Sequence, residues 1–463
     1  MDDFDREACR RLPLAEATLR LLDFVTHEDH LSGVFADCRG NAYEKVIGFP
    51  LFVHLIADAL LEHRGSGHQS FLRAKANETL MTSIRSMYGK LARVPISLSR
   101  GFFMASTQRL NKVFPTVPTT LPPSLRRFTV LALDGKKLKH VAKRMKALRK
   151  LKGQVFGGKL VVAQDVATGL AMALDAHPDG EVSDAPLVPG VLEQVRAMTS
   201  GPRLWVSDRQ FCDLNQPCLQ GQDGDHWLIR YNAKVRFHRD PKRQPRTGSD
   251  AQGRTYIEEW GWLGKENDPR RVYVRRVTLQ RPGAEDVILV TSLLDATEFP
   301  ATDLLELYLQ RWGIERMFQR VTEVFHLKAL IGGTPEATVF QASFCFLLYN
   351  IVIAMRAYLS ESVGRPAEEI SSENLFEDVQ RQVIAWQEVI GPAETRNLLG
   401  PTMSAPQLRL RLQALLAPAW TDRWLKAMRT KPSEHPRKDY LKGGHTSVYR
   451  VLHPRSVKSR RPG

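Results

Sequence analysis

The chain has 463 residues, of which 43% are hydrophobic and 25% charged, which excludes a wholly disordered basic polypeptide and is too long for one ordinary core. Lys and Arg number 66 against 50 Asp and Glu, and the excess is local: residues 136–152 carry nine basic and no acidic side chains, and residues 429–463 carry ten basic and two acidic. Five cysteines without a CxxC pair argue against a disulfide framework or a zinc site and fit a reducing compartment.

In chain order, residues 1–115 show apolar positions at helical spacing, as in Ala15, Leu19, Leu22 and Val25, and predict a helical N-terminal domain. The opening stretch is acidic and lacks the apolar core of a secretory signal. Pro115, Pro118, Pro122 and Pro123 mark an extended linker at 116–127. Strands are predicted at 128–133 (FTVLAL), 159–163 and 169–174, a helix at 184–198 capped by Ser183, and a further strand at 204–206. Three strands, a helix and another strand describe an α/β domain with a mixed sheet. Strands recur at 227–231, 255–262, 271–279 and 287–291, with a basic loop at 234–254, and this block reads as a β insertion at about 225–295 apart from the main sheet.

Helices resume from Asp303. The run at 340–359 approaches membrane-spanning length, but Gln341, Ser343, Asn350 and Arg356 interrupt it, so a buried core helix is expected. Residues 361–428 form a C-terminal helical region, and the polar, basic residues 429–463 read as a tail. The local positive charge suits nucleic acid better than a membrane.

Two acidic residues follow predicted buried strands: Asp134 after FTVLAL and Asp208 after LWVS. A carboxylate held there by rigid backbone can ligate a hard cation; an ordinary strand-to-turn Asp is the alternative for either one alone. Tyr308, Arg311 and Glu315 stand at offsets 0, 3 and 7, on one face of a predicted helix. That face is either solvated or part of a site. Taken together, three carboxylates from Asp134, Asp208 and Glu315 suit a pair of Mg²⁺ ions for displacement at phosphorus, with Arg311 placed to meet a phosphate.

The ordered segments LALDGKKLK, GEVSDAPLV, WVSDRQF and YLQRWGIERMF, followed by HLKALIGGTP and LLYNI, resemble the DDE transposases of the bacterial insertion-sequence-four family over roughly residues 40–360. The resemblance implies a ribonuclease H-like catalytic domain at 128–360, carrying the β-rich insertion, behind a DNA-binding N-terminal domain. It implies Asp134, Asp208 and Glu315 as the metal-binding catalytic triad, with two Mg²⁺ or Mn²⁺ ions. Tyr308, Arg311, Trp312, Lys136, Lys137 and Lys139 become expected DNA contacts, Trp312 by stacking unless it packs in the core. Thr322 stands where the family's signature helix has Lys; Arg320 and Lys328 are basic residues nearby. The implied activity is binding of terminal inverted repeats, cleavage and strand transfer, by a homodimer on paired ends, acting on double-stranded DNA in a bacterial, nucleoid-associated cytoplasmic setting and not at a membrane. A nuclease of the same fold that cuts without joining, or a decayed element that only binds DNA, are the alternatives.

Overall fold

The computed structural model describes residues 7, 10–138, 146–148, 150–151, 153–325, 327, 329–426 and 445–454. Its centre is a ten-stranded mixed sheet. Strands β1 (Thr129–Lys137), β3 (Lys159–Asp165) and β4 (Ala171–His177) form an antiparallel meander, while a short β2 (Gln154–Phe156) lies outside the sheet. On its other side β1 pairs in parallel with β5 (Arg203–Ser207), and β5 with β6 (His226–Arg230).

The β block expected to stand apart is instead a continuation of the main sheet. His226–Arg230 is the strand parallel to β5, and β11 (Val287–Thr291) hydrogen-bonds directly to it. Strands β10 (Val272–Leu279), β9 (Thr255–Leu263), β7 (Phe237–Arg239) and β8 (Arg246–Ser249) then extend the same sheet. A strand edge has unpaired amides and carbonyls, and the hairpins at 255–291 satisfy those of β6. Arg275 is buried in this extension, ion-paired to Glu258, with Nη1 donating to the Phe299 carbonyl at 2.6 Å.

Alternation along the strands divides the core in two. Val130, Leu204, Val206 and Leu228 pack with Leu304, Leu307 and Tyr308 on one face, and Leu131, Leu133, Trp205, Trp227 and Ile229 join the larger core on the other. The expected linker is docked rather than free. Leu121 and Leu125 enter the smaller core, and the Ser124 hydroxyl donates to Asp303 at 2.7 Å.

Among the described residues, these helices precede the sheet: α1 (Pro13–Val25), α2 (Glu28–Cys38), α3 (Phe49–Leu61), α4 (Gly67–Ala76), α5 (Ile84–Leu91) and α6 (Ile96–Asn111). Helix α7 (Val188–Met198) follows Asp184 by one 3-10 turn and covers β3 and β4; Asn215–Gln220 forms the short α8. Next come α9 (Ala301–Gln310), α10 (Trp312–Glu323) and the 29-residue α11 (Pro335–Val363). Thr334 caps α11 by accepting from the Ala337 amide at 3.3 Å, Pro335 opens it, and Gly364 ends it at φ 64°.

Helix α11 is apolar and long enough to span a membrane, but its most apolar stretch is wholly buried inside the protein, as expected of a core helix. Phe340 packs on Phe49, Phe52 and Phe102, and Phe102 stacks on Phe344 with centroids 5.5 Å apart. The N-terminal helices therefore share one core with α11 and β4, where each buried Phe contributes about 1.5–3 kcal/mol. Helices α12 (Ser372–Val389), α13 (Gly391–Leu399) and α14 (Ala405–Leu416) complete this layer.

Part of the basic tail is also ordered. His445–Ser447 forms β12, parallel to β2, followed by α15 (Val448–Leu452). Arg450 Nε lies 2.8 Å from Asp179. The rest of the tail, and most of the basic run at 136–152, lies outside the described residues.

Candidate active site

Strand β1 does not stop at Leu133. Asp134, Gly135, Lys136 and Lys137 continue it, paired with Val162 to Lys159 of β3. Asp208 follows β5 directly, as expected, and its Oδ1 accepts the Gln210 amide at 2.7 Å, closing a 3-10 turn. In the parallel pair Leu133 lies opposite Ser207, the last residue of β5, and Asp134 and Asp208 each follow that pair by one residue on neighbouring chains. Their alternation puts both on the face covered by α9.

The expected single helix through Tyr308, Arg311 and Glu315 is broken. Arg311 joins α9 to α10 with φ −52° and ψ −29°, and its amide bonds the Tyr308 carbonyl three residues back at 3.2 Å instead of four. This tighter turn keeps the chain right-handed but redirects α10 across β1. Gly313 lets that helix approach β3; a Cβ there would lie 3.3 Å from Gln164 Oε1. Tyr308 is buried rather than on a solvated face, with the Arg311 guanidinium 5.5 Å from its ring centre.

Arg311 connects the acidic groups. It is 6% exposed; Nη2 donates to Glu315 Oε1 at 2.8 Å, and Nη1 lies 3.8 Å from Asp134 Oδ2. Its Nε and Nη1 have no hydrogen-bond partner. Burial pushes the Asp134 carboxyl up to about 7, with the Asp208 charge adding to the rise and the Gly135 amide and Arg311 opposing it. Asp208 is also raised, by burial first and, among neighbouring charges, by Asp184.

The donor set is all carboxylate, which suits a hard divalent cation, and repulsion between Asp134 and Asp208 is what such a cation relieves. Among the described residues, however, no three His, Cys, Asp or Glu side chains are drawn close enough to hold a metal ion. Arg311 occupies the space between Asp134 and Glu315 as the compensating charge.

Two residues beside the site carry no sequence expectation of a role. Asp184 is buried and ion-paired to buried Lys159, and it lies against the strand just past Asp134: a Cβ on Gly135 would fall 2.1 Å from Asp184 Oδ1. The signal for it was the segment GEVSDAPLV, in which the sequence alone assigns Asp184 only to a helix start.

Of the expected DNA contacts, Trp312 is 56% exposed and so is not packed in the core. Lys136 and Lys137 lie over the rings of Phe318 and Phe156 at 5.6 and 5.0 Å. Lys139 and Lys328 lie outside the described residues. Thr322 turns its hydroxyl back onto the Phe318 carbonyl at 2.7 Å, and Arg320 faces a cavity on another side of α10, so neither fills the missing signature Lys position.

No curated protein matches this chain. A solved structure titled as the piggyBac transposase synaptic complex with hairpin DNA aligns over 90% of this chain and 89% of that chain, at 14% identity and a TM-score of 0.37. Residues 126–351 match the family model described as the transposase DDE domain. That stretch runs from just ahead of β1 into α11 and contains Asp134, Asp208, Arg311 and Glu315, so this part of the chain is similar to a DDE transposase domain.

Proposed function

We propose that the chain is a transposase of the insertion-sequence-four type, which binds the inverted repeats at the ends of its element, cleaves there and joins the freed end to target DNA. The observation that carries this reading is that Asp134 and Asp208 each stand one residue beyond the Leu133–Ser207 pair of the parallel strands β1 and β5, with α10, which carries Glu315, packed on β1, inside the segment that matches the DDE family. The strand order β4, β3, β1, β5, β6 supports a ribonuclease H-like centre, widened by the hairpins after β6.

In this account Asp134, Asp208 and Glu315 would hold two Mg²⁺ or Mn²⁺ ions, which supply activation of the attacking oxygen and stabilisation of the leaving one. Asp134 in β1 and Asp208 directly after β5 would be two of the holding carboxylates, and Glu315, here hydrogen-bonded by Arg311, would be the third. Arg311, with unpartnered N–H groups in a buried setting, would offer them to the reacting phosphate. Trp312, exposed beside it, offers a ring for stacking on DNA near the reacting end.

Cleavage is attack of water on the phosphodiester, with the 3′ oxygen leaving. In joining, the resulting 3′ hydroxyl attacks a target phosphodiester, forming a new P–O bond while the target strand's 3′ oxygen leaves, so no covalent protein intermediate is required. The reading carries with it a homodimer on paired ends and a bacterial, nucleoid-associated location.

The test is substitution of the acidic groups. Asp134→Asn, Asp208→Asn and Glu315→Gln each keep shape and remove a charge. Each is expected to abolish Mg²⁺-dependent nicking of end DNA while leaving DNA binding in gel-shift assays. Near-normal nicking by any one removes that residue from the triad.

A further inference from the structure

A cavity of about 640 Å³ lies on the side of α10 turned away from Glu315, between β3, the extended residues 116–120 and the last turns of α11. Its volume falls in the range of small-molecule sites, and its lining is strongly cationic. Arg316 and Arg320 enter from α10, Arg356 from α11, and Lys426 from the segment after α14. Opposing them are Glu361 and Glu368, neither of which forms a described ion pair with any of the four.

Arg356 is the clearest sign of a missing partner. It is 8% exposed; Nη1 donates to the Ser372 hydroxyl at 3.2 Å, and Nε is buried with no partner. A buried guanidinium left without a charged contact partner is costly, and among the described residues no carboxylate lies within ion-pair distance of Arg356, although the Glu368 charge reaches it from farther off. The repulsion among these cations is visible at Lys426, whose ammonium is pushed down to about 8 by partial burial and then by Arg320, Arg356 and Arg316. The cavity floor adds neutral donors and acceptors. Tyr349 donates to the Gly169 carbonyl at 3.0 Å, and Gln164 Nε2 donates to the same carbonyl at 2.9 Å.

We propose that this cavity is a binding site for a small phosphate-bearing anion, separate from the carboxylate site. Arg356 at the back and Arg320 and Lys426 at the mouth hold the phosphate groups. A duplex cannot enter a space of this size, whereas one to three linked phosphates match both its volume and its charge. The site sits behind the helix that carries Glu315, so an occupant would fix the position of α10. The assignment does not depend on the proposed transposition chemistry.

The probe is inorganic tripolyphosphate, titrated calorimetrically into the full chain at low salt without divalent cations or DNA. One saturable site per chain is expected. The double variant Arg320→Gln, Lys426→Gln avoids the buried Arg356 and should weaken binding about tenfold or more, since two charge-assisted contacts are lost. Asp134→Asn should bind the probe like the parent chain. The proposal is overturned by the absence of a saturable site, or by binding that is unchanged in the double variant, as adsorption on the basic surface would be. It also falls if the double variant loses affinity for duplex DNA while the parent chain takes up no tripolyphosphate.

Discussion

Asp134 and Asp208 occupy equivalent steps beyond the paired residues Leu133 and Ser207 on adjacent parallel strands. The fold thus sets two carboxylates side by side at the edge of the core, and the Asp134 carboxyl rises to about 7 through burial and the Asp208 charge. A carboxyl whose folded value exceeds its unfolded value near 4 contributes stability that is complete below pH about 4 and lost as pH rises through about 7. In metal-free protein, Asp134→Asn should therefore raise unfolding free energy at pH 8 relative to pH 5, by up to about 2.5 kcal/mol, from the two pH units between 5 and about 7. Urea denaturation at both pH values checks this. An equal effect at the two would show that Asp134 ionises without penalty.

Gly135 has a packing role beside this pair. Any Cβ would overlap Asp184, which is buried and ion-paired to buried Lys159. Gly135→Ala should cost about 1–3 kcal/mol as overpacking and should lower activity along with stability. Chemical denaturation measures the first; a neutral substitution would mean that Asp184 moves freely.

Deletion of residues 1–115 should not leave a soluble catalytic core. Phe49, Phe52 and Phe102 cover Phe340 and Phe344 of α11, and removing them would expose an apolar helix long enough to span a membrane. The truncated chain is expected to aggregate or to show no cooperative melting transition. A soluble, cooperatively folded truncation would overturn the single shared core.

Trp312 separates stability from DNA contact. Its exposure means that Trp312→Ala should change unfolding free energy by about 0.5 kcal/mol or less, as for other surface sites. If the ring stacks on a base, DNA binding should weaken by about 1–3 kcal/mol. Fluorescence-detected DNA titration alongside thermal melts gives both quantities.

Much of the fold was legible because local pattern and tertiary demand agreed. The apolar run before Asp134, the strand before Asp208 and the buried run at 340–359 all reported their burial directly, whereas the proline stretch gave no sign of its docking through Leu121 and Leu125. The matching positions of Asp134 and Asp208 beyond the Leu133–Ser207 pair were not legible, since they depend on register between strands separated by some 70 residues. Helical spacing set Tyr308, Arg311 and Glu315 on one face, but the single 3-10 bond at Arg311 turned the helix and made Arg311 the link between two carboxylates. The β block was misread as separate because strand periodicity says which residues alternate, not which edge receives them. Asp184 escaped notice because it stands at the N-cap of a 3-10 turn while its partner, Lys159, lies on β3, and the tail's short strand at 445–447 is too brief to signal itself.

The central claim is that this carboxylate set performs cleavage followed by joining. The most direct measurement is incubation of the intact chain with labelled end DNA, Mg²⁺ and a supercoiled target plasmid, followed by electrophoresis. The account predicts label covalently joined to the plasmid through the end's 3′ hydroxyl, and none with Asp208→Asn. Cut ends without joined product, or joined product from the Asp208→Asn chain, would contradict it.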